Sequence, residues 1–127
     1  MSKASDEIST RQFMSPAIVL AKSVDRIIED LQLAPDQVEK ILGCGFAELL
    51  TLVNDKEYSF TNPTMRRSVY LTNIYIMLAK LMENDIVAMR LWLSRPHKKL
   101  GIPPIAYLNG EKTLLEVLDL LRFSLSK

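Results

Sequence analysis

The chain has 127 residues, of which 48% are hydrophobic and 24% charged, and its formal net charge is +1 at pH 7. That composition predicts one compact globular domain with no long-range field to draw it to nucleic acid or an anionic membrane, so any DNA contact must come from a local patch. With one cysteine, Cys44, and one histidine, His97, no intramolecular disulfide is available and no zinc site forms without several carboxylates; the expected compartment is a reducing cytoplasm.

Residues 1–14 are polar and lack periodicity, which predicts a flexible N-terminus that is not a secretory signal. Ser15 and Pro16 then form a cap followed by a proline at the first helical position. Val19, Leu20, Ser23, Val24, Ile27, Ile28 and Leu31 recur at helical spacing, predicting a helix from Pro16 to about Leu31 with Lys22, Asp25, Arg26, Glu29 and Asp30 on its solvated face. A short second helix opens at Pro35, turns Val38, Ile41 and Leu42 inward and closes at Gly43. Phe46, Leu49, Leu50 and Val53 begin a third helix ending near Asn54-Asp55. Two short helices joined by the Gly43-Cys44-Gly45 turn have the spacing of a helix-turn-helix.

Asn62-Pro63 repeats the cap-plus-proline start. The fourth helix, Pro63 to about Met82, carries apolar residues around more than one stripe, so it is expected to be a central strut enclosed by neighbours or by a second subunit. The apolar run from Val69 to Met82 is too short and too interrupted to span a bilayer, and no membrane partner is expected. Asp85 caps a fifth helix that buries Ile86, Met89, Leu91, Trp92 and Leu93 and is stopped by Pro96. Pro103-Pro104 opens a helical turn through Leu108, with Asn109-Gly110 as a left-handed exit. Thr113 and Glu116 form a capping-box pair before Leu114, Val117, Leu118, Leu121 and Leu125. No strand-like alternation and no repeat occurs. The expected fold is all-α, a compact bundle of six or seven helices, with an Xre-like half at 15–62, a central helix and candidate dimer face at 63–84, and a C-terminal helical domain at 85–127.

Enzyme chemistry has little support in the sequence. There is no Gly-rich phosphate loop, Ser elbow, His/Cys pair or His-Glu metal spacing, and the adjacent carboxylates Glu29 and Asp30 read as solubility charges; no catalytic residue, metal or cofactor is expected. For DNA, Arg66 and Arg67 at the start of the fourth helix are the phosphate-contact candidates, with ion pairing to Asp55 or Glu57 as the alternative. The third helix adds only Glu48, Thr51 and Asn54 as polar groups, and a helix without Lys or Arg is a poor reader of guanine. The basic loop His97-Lys98-Lys99 is either an exposed polar turn or a recognition loop for a partner, and Trp92 is either core or interface.

Asp85, Ala88, Trp92-Leu93, Pro96, Leu100-Gly101, Pro104, Leu108, Gly110 and Val117 together resemble the toxin-binding domain of the Xre/MbcA/ParS antitoxins. The preceding Arg66 or Arg67, Leu71, Ile74 and Leu78 resemble the family's Arg-Leu-Ile pattern, and Leu33 to Gly43 resembles the second helix of its Xre-like half. The resemblance implies an all-α antitoxin that forms a homodimer and binds a cognate toxin of ADP-ribosyltransferase-like fold, the partner type with RES or ParT character that consumes NAD or modifies a target with it. It implies that Trp92, Leu93, Pro96, Leu100, Gly101, Leu108 and Gly110 shape the domain. Arg95, His97, Lys98, Lys99 and the turn holding Pro104, Tyr107 and Asn109 would face the toxin, with Arg122 and Phe123 toward its cleft. Many members also bind promoter DNA; here the third helix lacks cations, which ranks toxin binding above operator binding. His97 replaces the asparagine that usually follows the proline. A dimeric DNA-binding regulator without a toxin, and a helical adaptor that reuses the domain for another partner, are the alternatives the sequence leaves open.

Overall fold

A proline at the first helical position costs no hydrogen bond, and the chain uses this device four times, at Pro16, Pro35, Pro63 and Pro104. The structure is a computed structural model that describes residues 16–53 and 62–126. Among the described residues there are seven helices and no strand: α1 (Pro16–Leu31), α2 (Pro35–Leu42), α3 (Phe46–Val53), α4 (Pro63–Leu81), α5 (Ile86–Ser94), α6 (Pro104–Tyr107) and α7 (Glu111–Leu125). None is long and apolar enough to cross a membrane. Ser15, Asn54, Asp55 and Glu57 lie outside the described residues, as do residues 1–14.

The helix ends explain the path of the chain. Asn62 caps α4 by accepting from the Thr64 N–H at 2.9 Å, and Asp85 caps α5 by accepting from the Ala88 N–H at 3.1 Å. At the end of α1, Gln32 adopts φ 55°, and the Leu33 N–H reaches the Ile28 carbonyl at 3.0 Å while the Gln32 N–H reaches Glu29. This is a Schellman closure with glutamine in the position glycine favours. Glu83 and Asn84 close α4 in the same way, with the Asn84 N–H on the Ala79 carbonyl at 2.7 Å. Gly43, at φ 85°, ends α2.

One apolar core runs through all seven helices. α4 is the strut: Met65, Ser68, Leu71, Ile74 and Leu78 are buried, with α7 against it most extensively and α1, α2 and α5 on its other sides. From α7 come Leu114, Val117, Leu118 and Leu121, each fully or almost fully buried and each stabilising by about 1.5–3 kcal/mol relative to exposure. Ser68 is the buried polar residue of this layer, and its hydroxyl is satisfied by the Thr64 carbonyl at 2.8 Å. Ile76 on α4 is 45% exposed, the one exposed side chain between Thr64 and Ala79 of the strut.

Several expected faces shift. On α1 the buried stripe is Ala17, Ala21, Val24, Ile27 and Leu31, and Val19 is 50% exposed; small alanines occupy the contact face. Asp30 is not a free solubility charge. Its carboxylate accepts from the Tyr75 hydroxyl at 2.6 Å, and its backbone carbonyl accepts from Arg90 Nε at 2.7 Å, which ties α1 to α4 and α5. The Tyr75 hydroxyl lowers the Asp30 pKa, Arg26 and Arg90 adding to it against the opposing effect of burial. The Tyr75 pKa is raised, first by burial and then by the carboxylate it faces. Leu91 and Leu125, expected to be internal, are on the surface.

Candidate functional site

Arg95 has to be extended because it precedes Pro96, and it is, at φ −96° and ψ 144°; this turns the chain out of α5 into the loop toward α6. His97 then organises the loop. Its N–H donates to the Ile102 carbonyl at 3.2 Å, and its own carbonyl accepts from the Leu100 and Gly101 N–H groups at 3.1 and 2.8 Å. Its Nδ1 accepts from the Lys99 N–H at 3.1 Å, which places the ring proton on Nε2 in the neutral form. The imidazole meets Trp92 edge to face, with centroids 5.6 Å apart. Gly101, at φ 76°, supplies the left-handed residue that lets the loop return.

The basic side chains of this loop divide. Arg95, Lys98 and Lys99 are all exposed, and Lys99 alone of the three lies over the Phe123 ring, its Nζ 4.2 Å from the centroid, joining the loop to α7. Arg122 forms an exposed pair with Asp119 at 3.2 Å, a contact of little energetic weight. The turn of α6 is used internally. Pro104 and Leu108 are buried, so Pro104 shapes the turn and presents no surface. The Tyr107 hydroxyl donates to Glu116, which raises the tyrosine pKa, and the Asn109 N–H donates to Thr113 Oγ1 at 3.1 Å.

Two expectations for this turn are overturned by those bonds. Glu116 holds Tyr107 and forms no capping box, because α7 begins at Glu111, two residues before Thr113. Asn109-Gly110 is not a left-handed exit: Asn109 has no positive φ, and Gly110 is extended at φ 179°.

Beside the loop lies an open groove of about 320 Å³, lined by Met82, Ala88, Leu91, Trp92, Arg95 and His97 among others. Leu91 is 40% exposed here, and Val87 on the same helix is 61% exposed. Met82 and Leu91 were not singled out from the sequence as site residues, and Ala88 entered only among the residues that carry the resemblance. The signal was present: Ala88, Leu91 and Trp92 follow the i, i+3, i+4 spacing of one helical face, separate from the Met89 and Leu93 positions that enter the core, and Arg95 follows at the end of the helix.

No family model matches the chain and no curated protein matches its sequence.

The residues considered for DNA contact lie elsewhere. Arg66 Nε pairs with Glu111 at 2.8 Å, joining α4 to α7. Arg67 packs its guanidinium against Gly43, and its Nε is buried without a hydrogen-bond partner. On α3 the outer face exposes Ala47, Glu48, Leu50 and Thr51, and the Thr51 hydroxyl donates to the Ala47 carbonyl at 3.2 Å; Asn54 is outside the described residues. Described α3 thus carries no cation. The Cys44 thiol beside it is pushed to higher pKa mainly by burial, which disfavours the nucleophilic thiolate. No group of three or more metal-ligating side chains occurs among the described residues.

Proposed function

We propose that the chain is the antitoxin of a toxin–antitoxin pair, binding an NAD-consuming or ADP-ribosylating toxin and blocking its active site by steric occlusion. The reading is supported first by the sequence positions from Asp85 to Val117 that resemble the toxin-binding domain. The structural observation that favours it most is the locked loop: His97 fixes residues 97–102 by backbone and ring hydrogen bonds while Arg95 and Lys98 remain exposed. A loop ordered before association loses less entropy on binding, so its charges act on a partner from a fixed frame. Occlusion needs no nucleophile or metal. It needs a rigid surface, which α5, the loop and α7 supply through the Trp92–His97 and Lys99–Phe123 contacts. A cytoplasmic homodimer completes the proposal, α4 being the candidate for the shared face.

The test is co-expression of the full chain with the product of the adjacent gene and affinity capture of the pair. The expected result is a stable complex that weakens when Arg95 and Lys98 are both changed to Glu. Absence of any complex with that product sinks the proposal. Operator binding by α2 and α3 is the second reading, favoured by the tight Gly43 turn between two eight-residue helices. It predicts salt-sensitive binding to the chain's own upstream DNA.

A further inference from the structure

The groove along α5 combines an apolar lining with a cationic end. Its floor is made by Met82, Ala88, Leu91 and Trp92, and its far end by Arg95 and His97, with exposed Lys98 next in the chain. The groove is too open to enclose a metabolite, and its volume is at the small end of ligand pockets, about 300–1,000 Å³. It fits side chains of another polypeptide. Its three α5 positions, Ala88, Leu91 and Trp92, lie on one helical face over four residue steps, about 6 Å of axis, and Arg95 follows at the C-cap. Ala88 has almost no side chain, so a second backbone can approach closely there, while Leu91 and Trp92 provide the area to bury.

Charge selects the occupant and its direction. Near the start of α5 stand the carboxylates Glu83 and Asp85, the latter already turned to the Ala88 N–H; at the other end stand the cations Arg95 and Lys98. We infer that this groove takes an amphipathic helical segment of the partner protein, with apolar residues at i, i+3 or i+4, and i+7 and with Asp or Glu at the end lying over Arg95 and Lys98. This rests on the proposed function only in naming the toxin as the protein that contributes the segment; the class of segment follows from the groove itself.

The probe is a displayed library of random peptides about three helical turns long, panned on the full chain, with selected peptides then titrated by fluorescence. Trp92 is the only tryptophan and lies in the groove, so its emission reports occupancy directly. The expected selection is enriched in the apolar spacing above with terminal carboxylates, and saturating peptide shifts Trp92 emission. Leu91→Asp, at an exposed position, should weaken binding by about tenfold or more, from loss of the central apolar contact. The double variant Arg95→Glu with Lys98→Glu should turn the preference toward basic peptides. A selection without acidic bias, binding unchanged in Leu91→Asp, or an unshifted Trp92 spectrum overturns the inference. If the adjacent gene's product is captured equally well by Leu91→Asp, the groove inference fails and the antitoxin reading stands. If acidic peptides bind as described but no such product is captured, the groove inference stands and the antitoxin reading fails.

Discussion

Gly43→Ala is the substitution whose cost follows most directly from the geometry of the α2–α3 turn. Gly43 has φ 85°, where a Cβ costs about 1–2 kcal/mol. The added methyl would also lie 2.9 Å from Arg67 Nη1, so the guanidinium has to move. Arg67 Nε makes no hydrogen bond, and displacing the flexible end of this side chain adds about the cost of a shifted rotamer, about 0.5 kcal/mol. The sum, about 1.5–2.5 kcal/mol, divided by an unfolding entropy of about 0.27 kcal/mol/K for a chain of this size, lowers Tm by about 6–9 °C. Gly101→Ala is the control, since Gly101 has φ 76° but nothing within 4 Å of the added atom. Thermal unfolding followed by circular dichroism on both variants, each with and without Arg67→Ala, separates the two contributions. Coupling to Arg67 is expected at Gly43 and absent at Gly101. A Gly43→Ala protein with unchanged Tm, or equal behaviour of both glycines toward Arg67→Ala, refutes the reasoning.

The reverse change at the end of α1 should stabilise: Gln32→Gly removes a side chain from a φ of 55° and is expected to raise the unfolding midpoint in urea by the equivalent of about 0.5–1 kcal/mol. Leu114→Ala, at a fully buried site, should cost about 2–5 kcal/mol in the same assay, whereas Leu115→Ala, at a neighbouring site that is 37% exposed, should cost clearly less, about 1 kcal/mol. Arg66→Ala should cost under about 1 kcal/mol, because both partners of the Arg66–Glu111 pair are more than a third exposed, and the difference should shrink at high salt. For Asp30, whose folded pKa is lowered, the stabilisation is complete above the unfolded value of about 3.9 and is lost as pH falls through the folded value. For Tyr75, whose folded pKa is raised, it is complete below about 10 and lost as pH rises through the folded value. Tyr75→Phe should flatten both limbs of a urea-midpoint profile against pH; a profile identical to that of the unsubstituted protein would contradict the assigned hydrogen bond.

Much of the fold is legible in the chain because its helices are punctuated by residues with one strong local preference. Pro16, Pro35, Pro63 and Pro104 mark helix starts, Asn62 and Asp85 cap, and Gly43 stops α2. What sequence does not reveal is which of several apolar faces meets a neighbour. Val19 is larger and more apolar than Ala17 or Ala21, yet the alanines are buried, because interhelical contact rewards fit over hydrophobicity. The same ambiguity hides the groove, since Leu91 reads as core until α5 is seen to commit Met89 and Leu93 inward. At Thr113 and Glu116 a local signature gave way to longer-range bonds with Asn109 and Tyr107. Of the residues expected to face a partner, Arg95, Lys98, Lys99, Asn109, Arg122 and Phe123 are exposed, His97 and Tyr107 are half-buried and hold the loop and the turn, and Pro104 is buried.

The central claim is neutralisation by occlusion, and a titration tests it most directly. The purified product of the adjacent gene is assayed for NAD consumption while the full chain is added in increasing molar ratio. The proposal predicts that turnover falls to background at a sharp stoichiometric end point, and that the Arg95→Glu, Lys98→Glu double variant no longer reaches it. A saturated complex that retains full NAD turnover, or a partner that never consumes NAD or modifies a target with it, would contradict the claim.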